Sequence, residues 1–438
     1  MGLHDRAMKP SRSPGIVVNG ALAILLSADS LMAEPASTLP VLPLGPTETV
    51  VEGTYQLSPP ALQFDRTGHL QVAWFDQQGE TRALRTVQLT TEKSVSATPT
   101  QVNPPASEPD GLHQAPGLTI GPHQELFITW ARADKHPTAE FAADVMLSVS
   151  RDQGATFEPP LLVNDDGVPI NHSFESLHAR ADGIVSITWL DNRHKEKSGA
   201  GIHFACSRDG GQIIEKNRTV DGMACPCCRP MVTAAPDGSL WVAWRKTFEG
   251  NIRDIVVAHS TDDGQTFSAP TLVHKDGWVF AACPHRGPSI GFDRTGRVYV
   301  AWYTEGADEQ PRLFVATSDD GGKTFSTPVS LHTSTTSLPD QLRMAVHPDG
   351  AVVAVWEEVT GVRKRTVMRI SLDRGRSFGP LQTLSDGTKS EYPTVAIHDS
   401  GAVAISWTDQ AWPTNRIVLR FGNLSSLLPS LAMMPAEP

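Results

Sequence analysis

Seven short apolar runs, each closed by tryptophan, set the rhythm of the chain. "LQVAW", "LFITW", "VSITW", "LWVAW", "VYVAW", "VVAVW" and "VAISW" end at Trp74, Trp130, Trp189, Trp244, Trp302, Trp356 and Trp407, at intervals of 56, 59, 55, 58, 54 and 51 residues. Six positions before the tryptophan stands glycine in six repeats (Gly68, Gly183, Gly238, Gly296, Gly350 and Gly401) and Gln124 in the seventh. Fourteen before it, five repeats carry proline: Pro60, Pro116, Pro230, Pro288 and Pro393. Such runs, bounded by Asp-Gly or Thr-Gly turns, read as paired strands. A third strand such as "IVVAHS" and a fourth such as "PTLV" complete each repeat. Four short strands in so constant a period predict a propeller blade, and no helical periodicity competes.

A second signature falls between the third and fourth strands. "SRDQGATF", "STDDGQTF", "SDDGGKTF" and "SLDRGRSF" share S-x-D-x-G-x-[ST]-F, and "SRDGGQII" is a decayed fifth copy. The aspartate suits bonds from turn amides, the glycine supplies an unusual dihedral, and the aromatic packs beneath. This motif resembles the Asp-box (BNR repeat) of the sialidase-like propeller superfamily and its non-sialidase relatives. The resemblance implies an all-β propeller of four-stranded blades and assigns Asp152, Asp262, Asp320 and Asp373 to the scaffold. The seven tryptophan repeats point to seven blades; the six of sialidases are the alternative. The segment "TLPVLPLGPTETVVEG" is placed to supply the strand that the last repeat lacks.

The 438 residues carry a net charge of −11 without basic clusters, which argues against a nucleic-acid partner. The first 33 residues read as a signal peptide: basic residues, the apolar "GIVVNGALAILL", and small residues near Ala33. Residues 34–438 then form one propeller domain, secreted or periplasmic, with no span left in a membrane. Disulfides are permitted there, and five cysteines leave at least one unpaired within the chain.

The inner strand of each blade lines the central channel, so the repeat phase aligns residues around the axis. Seventeen before each tryptophan stand Leu57, His113, His172, Cys227, His285, Pro339 and Ser390. Four consecutive repeats thus offer His, His, Cys and His at one level. Cys228 follows Cys227, and Cys225 and Cys283 share a register two residues earlier. Imidazole and thiolate donors suit copper or zinc, with copper preferred for an exported protein. The implied role is metal handling or redox chemistry, with a metal ion and a periplasmic metal or electron-transfer protein as partners. Cys225 and Cys283 are also the pair placed for a disulfide. Cys206 reads as a buried free thiol.

A second reading follows from the family likeness. Sialidases grip a carboxylate with three arginines and use a tyrosine nucleophile with a glutamate partner. Where they carry the arginine of the first blade, this chain has "TYQLSPPAL", without one. That departure weighs against sialidase activity. Arg229, Arg286 and Arg343, with Glu391 and Tyr392, nevertheless sit on the channel side and make up a divergent glycosidase or glycan-binding set. The alternative role for the arginines is neutralising Asp340, Glu391 and Glu175. Both readings stay open.

Overall fold

The computed structural model describes residues 41–90 and 98–428, apart from 113, 134, 135, 137, 138, 140, 195–198 and 388. Residues 1–33, expected to be a signal peptide, and His113 lie outside the described residues. Leu39–Pro438 form one compact unit.

Each tryptophan run is the second strand of a meander, as its alternation predicts, and the strands continue past the tryptophan. Leu70–Gln78, Leu126–Ala133, Val185–Asp191, Leu240–Phe248, Val298–Thr304, Val352–Thr360 and Ala402–Ala411 carry the seven indoles, all fully buried. The turn glycines six before them adopt φ between 84° and 89°, and Gln124 takes φ 68° in the same place. That region lies outside what a side chain ordinarily adopts, which explains the period.

The strands form six hydrogen-bonded sheets among the described residues. Four have four strands and one has five, and these five stand as separate blades. The sixth holds eight strands and carries both Trp189 and Trp244. Neither seven nor six separate blades is therefore what the pairing produces. The cause is local. The fourth strand of most repeats is two residues long, whereas Arg218–Ala224 spans seven and reaches the next repeat through the pair Ala224 and Lys246.

Apolar clusters sit between consecutive repeats. Trp130 packs with Ala73 and Phe75, and Trp356 packs with Tyr299, Ala301 and Tyr303. The last cluster joins Phe64, Val72 and Trp74 to Ala404, Ile417 and Leu419, so the seventh repeat abuts the first. The strand Glu48–Gly53 pairs antiparallel with Thr414–Asn423 and completes the last sheet. The segment ahead of the first repeat thus fills the place expected of it.

The Asp-boxes are the predicted turns. Asp262 Oδ1 accepts the Thr266 N–H at 2.9 Å, Oδ2 accepts the Thr266 hydroxyl at 2.6 Å, and the Gly264 N–H donates to Ser260 Oγ at 2.8 Å. Asp152, Asp320 and Asp373 repeat the pattern. These donated bonds hold the Asp262 carboxyl down at about 2. The decayed copy keeps its turn through Asp209, which accepts the Ile213 N–H at 3.0 Å.

Candidate functional site

The inner strands wall a cavity of about 730 Å³ at the channel axis. Its lining recurs at the same places in all seven repeats. Thirteen before each tryptophan, Ala61, Gly117, Ser176, Met231, Ser289, Arg343 and Thr394 all contribute to it. Fifteen before, so do Pro59, Ala115, Phe174, Arg229, Gly287, Gln341 and Tyr392. Below them lie Gln63, Thr119, His178 and Thr233.

Three of these residues are delivered by strained backbone. Phe174, Gln341 and Tyr392 have φ of 61°, 49° and 54°. Each sits where the ladder to the second strand slips: between Ser173 and Ser176, Asp340 and Arg343, and Glu391 and Thr394. A bulge re-aims the side chains around it, and the same device in three repeats is a constraint that packing alone does not require.

The bulge also corrects the predicted histidine ring. His172 lies ahead of it, pairs with Asp191 in the ladder and does not line the cavity. The ring is fully buried, with Nδ1 2.9 Å from the Ala143 carbonyl and Nε2 3.2 Å from Asp166 Oδ2. Asp191 is in turn held by Arg193 and by the Trp189 indole N–H at 2.9 Å. His172 therefore groups with Asp166 and Asp191, away from the cysteines. A fixed offset cannot foresee this, because one extra residue inverts the parity of everything before it.

Of the metal candidates, the structure brings together Cys225, Cys227 and Cys228, all buried, and separately Cys227, Cys283 and His285. Cys227 and His285 line the cavity. Every cysteine is a free thiol. Cys225 turns toward Cys228, with Sγ atoms 3.2 Å apart, so the expected bridge to the exposed Cys283 does not form. Cys206 is buried as expected, its Sγ 3.4 Å from Glu215 Oε2, and burial pushes its thiol up to about 11.

The arginines divide. Arg286 is taken up by Asp340, through Nε at 2.7 Å and Nη2 at 3.0 Å, and stacks on the Tyr303 ring. It neutralises a carboxylate rather than facing the cavity. Arg229 donates to Gln114 Oε1 and the Ala115 carbonyl and lies 4.0 Å from Glu175. Arg343 bonds only its neighbour's carbonyl, Leu342, at 2.9 Å, and pairs with no carboxylate among the described residues. Burial, reinforced by the positive charge of Arg229, brings Arg343 down to about 10. The two guanidiniums thus share one cavity, and Arg343, which feels Glu357 and Asp340 only at longer range, forms no ion pair among the described residues.

Beneath Tyr392 lies a residue that the sequence reading missed. Glu357 follows Trp356, is completely buried, and accepts the Tyr392 backbone N–H at 2.6 Å. Its other oxygen has no hydrogen-bond donor and lies 3.5 Å from Lys364 Nζ. Burial pushes its carboxyl up to about 7. The signal was present in the position after each tryptophan, which is otherwise Phe75, Ala131, Leu190, Arg245, Tyr303 and Thr408. A lone carboxylate there has to be buried. Glu391 points elsewhere, to Lys364 at 2.7 Å and Gln410 at 2.7 Å. Tyr392 keeps its proton, because burial and the nearby carboxylates raise its hydroxyl.

Residues 68–277 match the family described as BNR repeat-like domain. No curated protein matches the chain. Among solved structures it is similar to the polysaccharide lyase Uly1, with a TM-score of 0.55 and 12% identity over 84% of this chain and 90% of that one. It is also similar to the Hadza microbial sialidase Hz136 (TM-score 0.48, 16% identity, covering 82% and 77%). A protein of unknown function from Dyadobacter fermentans gives a TM-score of 0.49 at 18% identity, covering 70% and 93%. The likeness to sialidase-like propellers of the BNR type, first suggested by the Asp-boxes, holds at the level of fold.

Proposed function

We propose that this BNR-type propeller is a carbohydrate-recognition protein that binds a carboxylate-bearing sugar at the channel axis. The observation that carries the reading is the pair Arg229 and Arg343 in one cavity, Arg343 without a carboxylate partner. A guanidinium in a partly dry cleft favours a planar carboxylate, which it meets with two parallel N–H donors. Pro60, Pro116, Pro288 and Pro393, with Phe174 and Met231, supply apolar wall for the faces of a sugar ring. The Tyr392 hydroxyl is the neutral donor at the rim. A fold shared with a polysaccharide lyase agrees with such a ligand. The eight-stranded sheet is read as two blade repeats fused at Ala224, which leaves the channel intact.

The test is calorimetric titration with sialic acid, glucuronate and the matching neutral sugars. The acids are expected to bind and the neutral sugars to bind at least about tenfold more weakly, the worth of one charge-assisted bond. Arg343→Ala should abolish that preference. If acids and neutral sugars behave alike, the reading is wrong. A fluorogenic sialoside or uronide, compared with Tyr392→Phe, reports in the same experiment whether binding leads to cleavage.

A further inference from the structure

We propose that the thiols of the segment Cys225–Cys228, with Cys283 and His285 on the rim, hold a soft d10 metal ion, Zn2+ or Cu+. Three sulfurs from four consecutive residues converge although none is bridged. Cys225 Sγ lies 3.2 Å from Cys228 Sγ and 4.0 Å from Cys227 Sγ. Sulfurs sharing one tetrahedral zinc through bonds of about 2.3 Å stand about 3.8 Å apart, and these two separations bracket that value. Cys227 also belongs to the second group, with Cys283 and His285, whose donor atoms lie within 4.8 Å of one another. One sulfur is thus common to a buried triad and to an accessible one that opens on the cavity.

A guanidinium stands against one of the three sulfurs. Arg253, nearly buried, places Nη1 3.2 Å from Cys225 Sγ, and among the described residues no carboxylate pairs with it. With that guanidinium, a monovalent or divalent cation brings three thiolates close to neutrality. Arg245 braces both halves: its carbonyl accepts the Cys225 N–H at 2.9 Å, and its guanidinium holds the Arg286 carbonyl at 3.0 Å, next to His285. Met223 and His285 adopt φ of 56° and 53°, so both segments approach the cluster through backbone that packing alone would not select. Phe174 covers the thiols on the cavity side. The donors are soft, which disfavours calcium and magnesium.

The site differs from the sugar site, although Cys227 faces the same cavity, and the two fail separately. Reduced full-length protein, prepared without oxygen, is titrated in parallel with Zn2+ and with Cu+ against a chromophoric chelator. At least one equivalent of one ion should be retained, and which ion it is separates the two sources. Cys225→Ser and Cys227→Ser, each verified by an unchanged Tm, should weaken binding by at least about tenfold. If the buried variants do not fold, the rim variant Cys283→Ser/His285→Ala should weaken it instead. Cys206→Ser should leave it unchanged. Reduced protein that takes up neither ion at micromolar concentration overturns the proposal. Uptake that survives all of the cluster variants overturns it as well.

Discussion

At the scale of single residues, Glu357 is the sharpest consequence of the fold. Its carboxyl, pushed up to about 7 by burial, ionises some 2.5 pH units later than in the unfolded chain. A folded value above the unfolded one means that stability is full below the ordinary glutamate range and is lost as pH rises through 7. The linked loss is about 3 kcal/mol. Burial holds His178 and His203 down at about 4, which adds stability as pH rises over the same range, so the contribution of Glu357 is isolated by difference: the Tm of Glu357→Gln, which keeps the acceptor for the Tyr392 N–H, should gain on that of the natural chain between pH 4.5 and 7. Calorimetry of both proteins across this range decides it. Gly264 offers a second test. Its φ is +79°, and an added Cβ would lie 2.2 Å from the Phe204 ring. Gly264→Ala is expected to cost about 2 kcal/mol, read from denaturant unfolding.

At the scale of elements, the repeat was legible and the bulges were not. The tryptophan period marked every second strand, the glycine period six of the seven tight turns, and the Asp-box the hairpins of four repeats and, in decayed form, a fifth, because each rests on a local backbone need. The sequence placed the channel row at seventeen before tryptophan, whereas the rows at thirteen and fifteen are the ones that line the cavity in all seven repeats. What escaped was the extra residue ahead of Arg343, the one in the bulge that holds Tyr392, and in the third repeat the one that carries His172 out of the ring. Nothing local marks it, since Phe174, Gln341 and Tyr392 are ordinary residues in a left-handed conformation. Glycine tolerates that conformation, so Tyr392→Gly should cost less stability than Tyr392→Ala, by about the 1 kcal/mol of strain that it relieves. The same substitution should weaken binding of the acidic sugar, which separates the role of the side chain from that of the backbone.

At the scale of the whole molecule, the ring is closed by its two ends. Glu48–Gly53 and Thr414–Asn423 share one ladder, and the apolar cluster behind it unites the first and seventh repeats. Removing residues through Gly53 would leave the strand Thr414–Asn423 as an open edge. We expect a lower Tm and concentration-dependent association by light scattering, whereas removal of residues 1–40 alone should change neither.

The same clasp has a consequence in time. The partners Glu48 and Leu419 stand 371 positions apart, so a ribosome needs on the order of tens of seconds between making one and the other. Until Thr414–Asn423 has been made the first strand has no ladder partner, so closing the ring is a pairing the chain can complete only at its end.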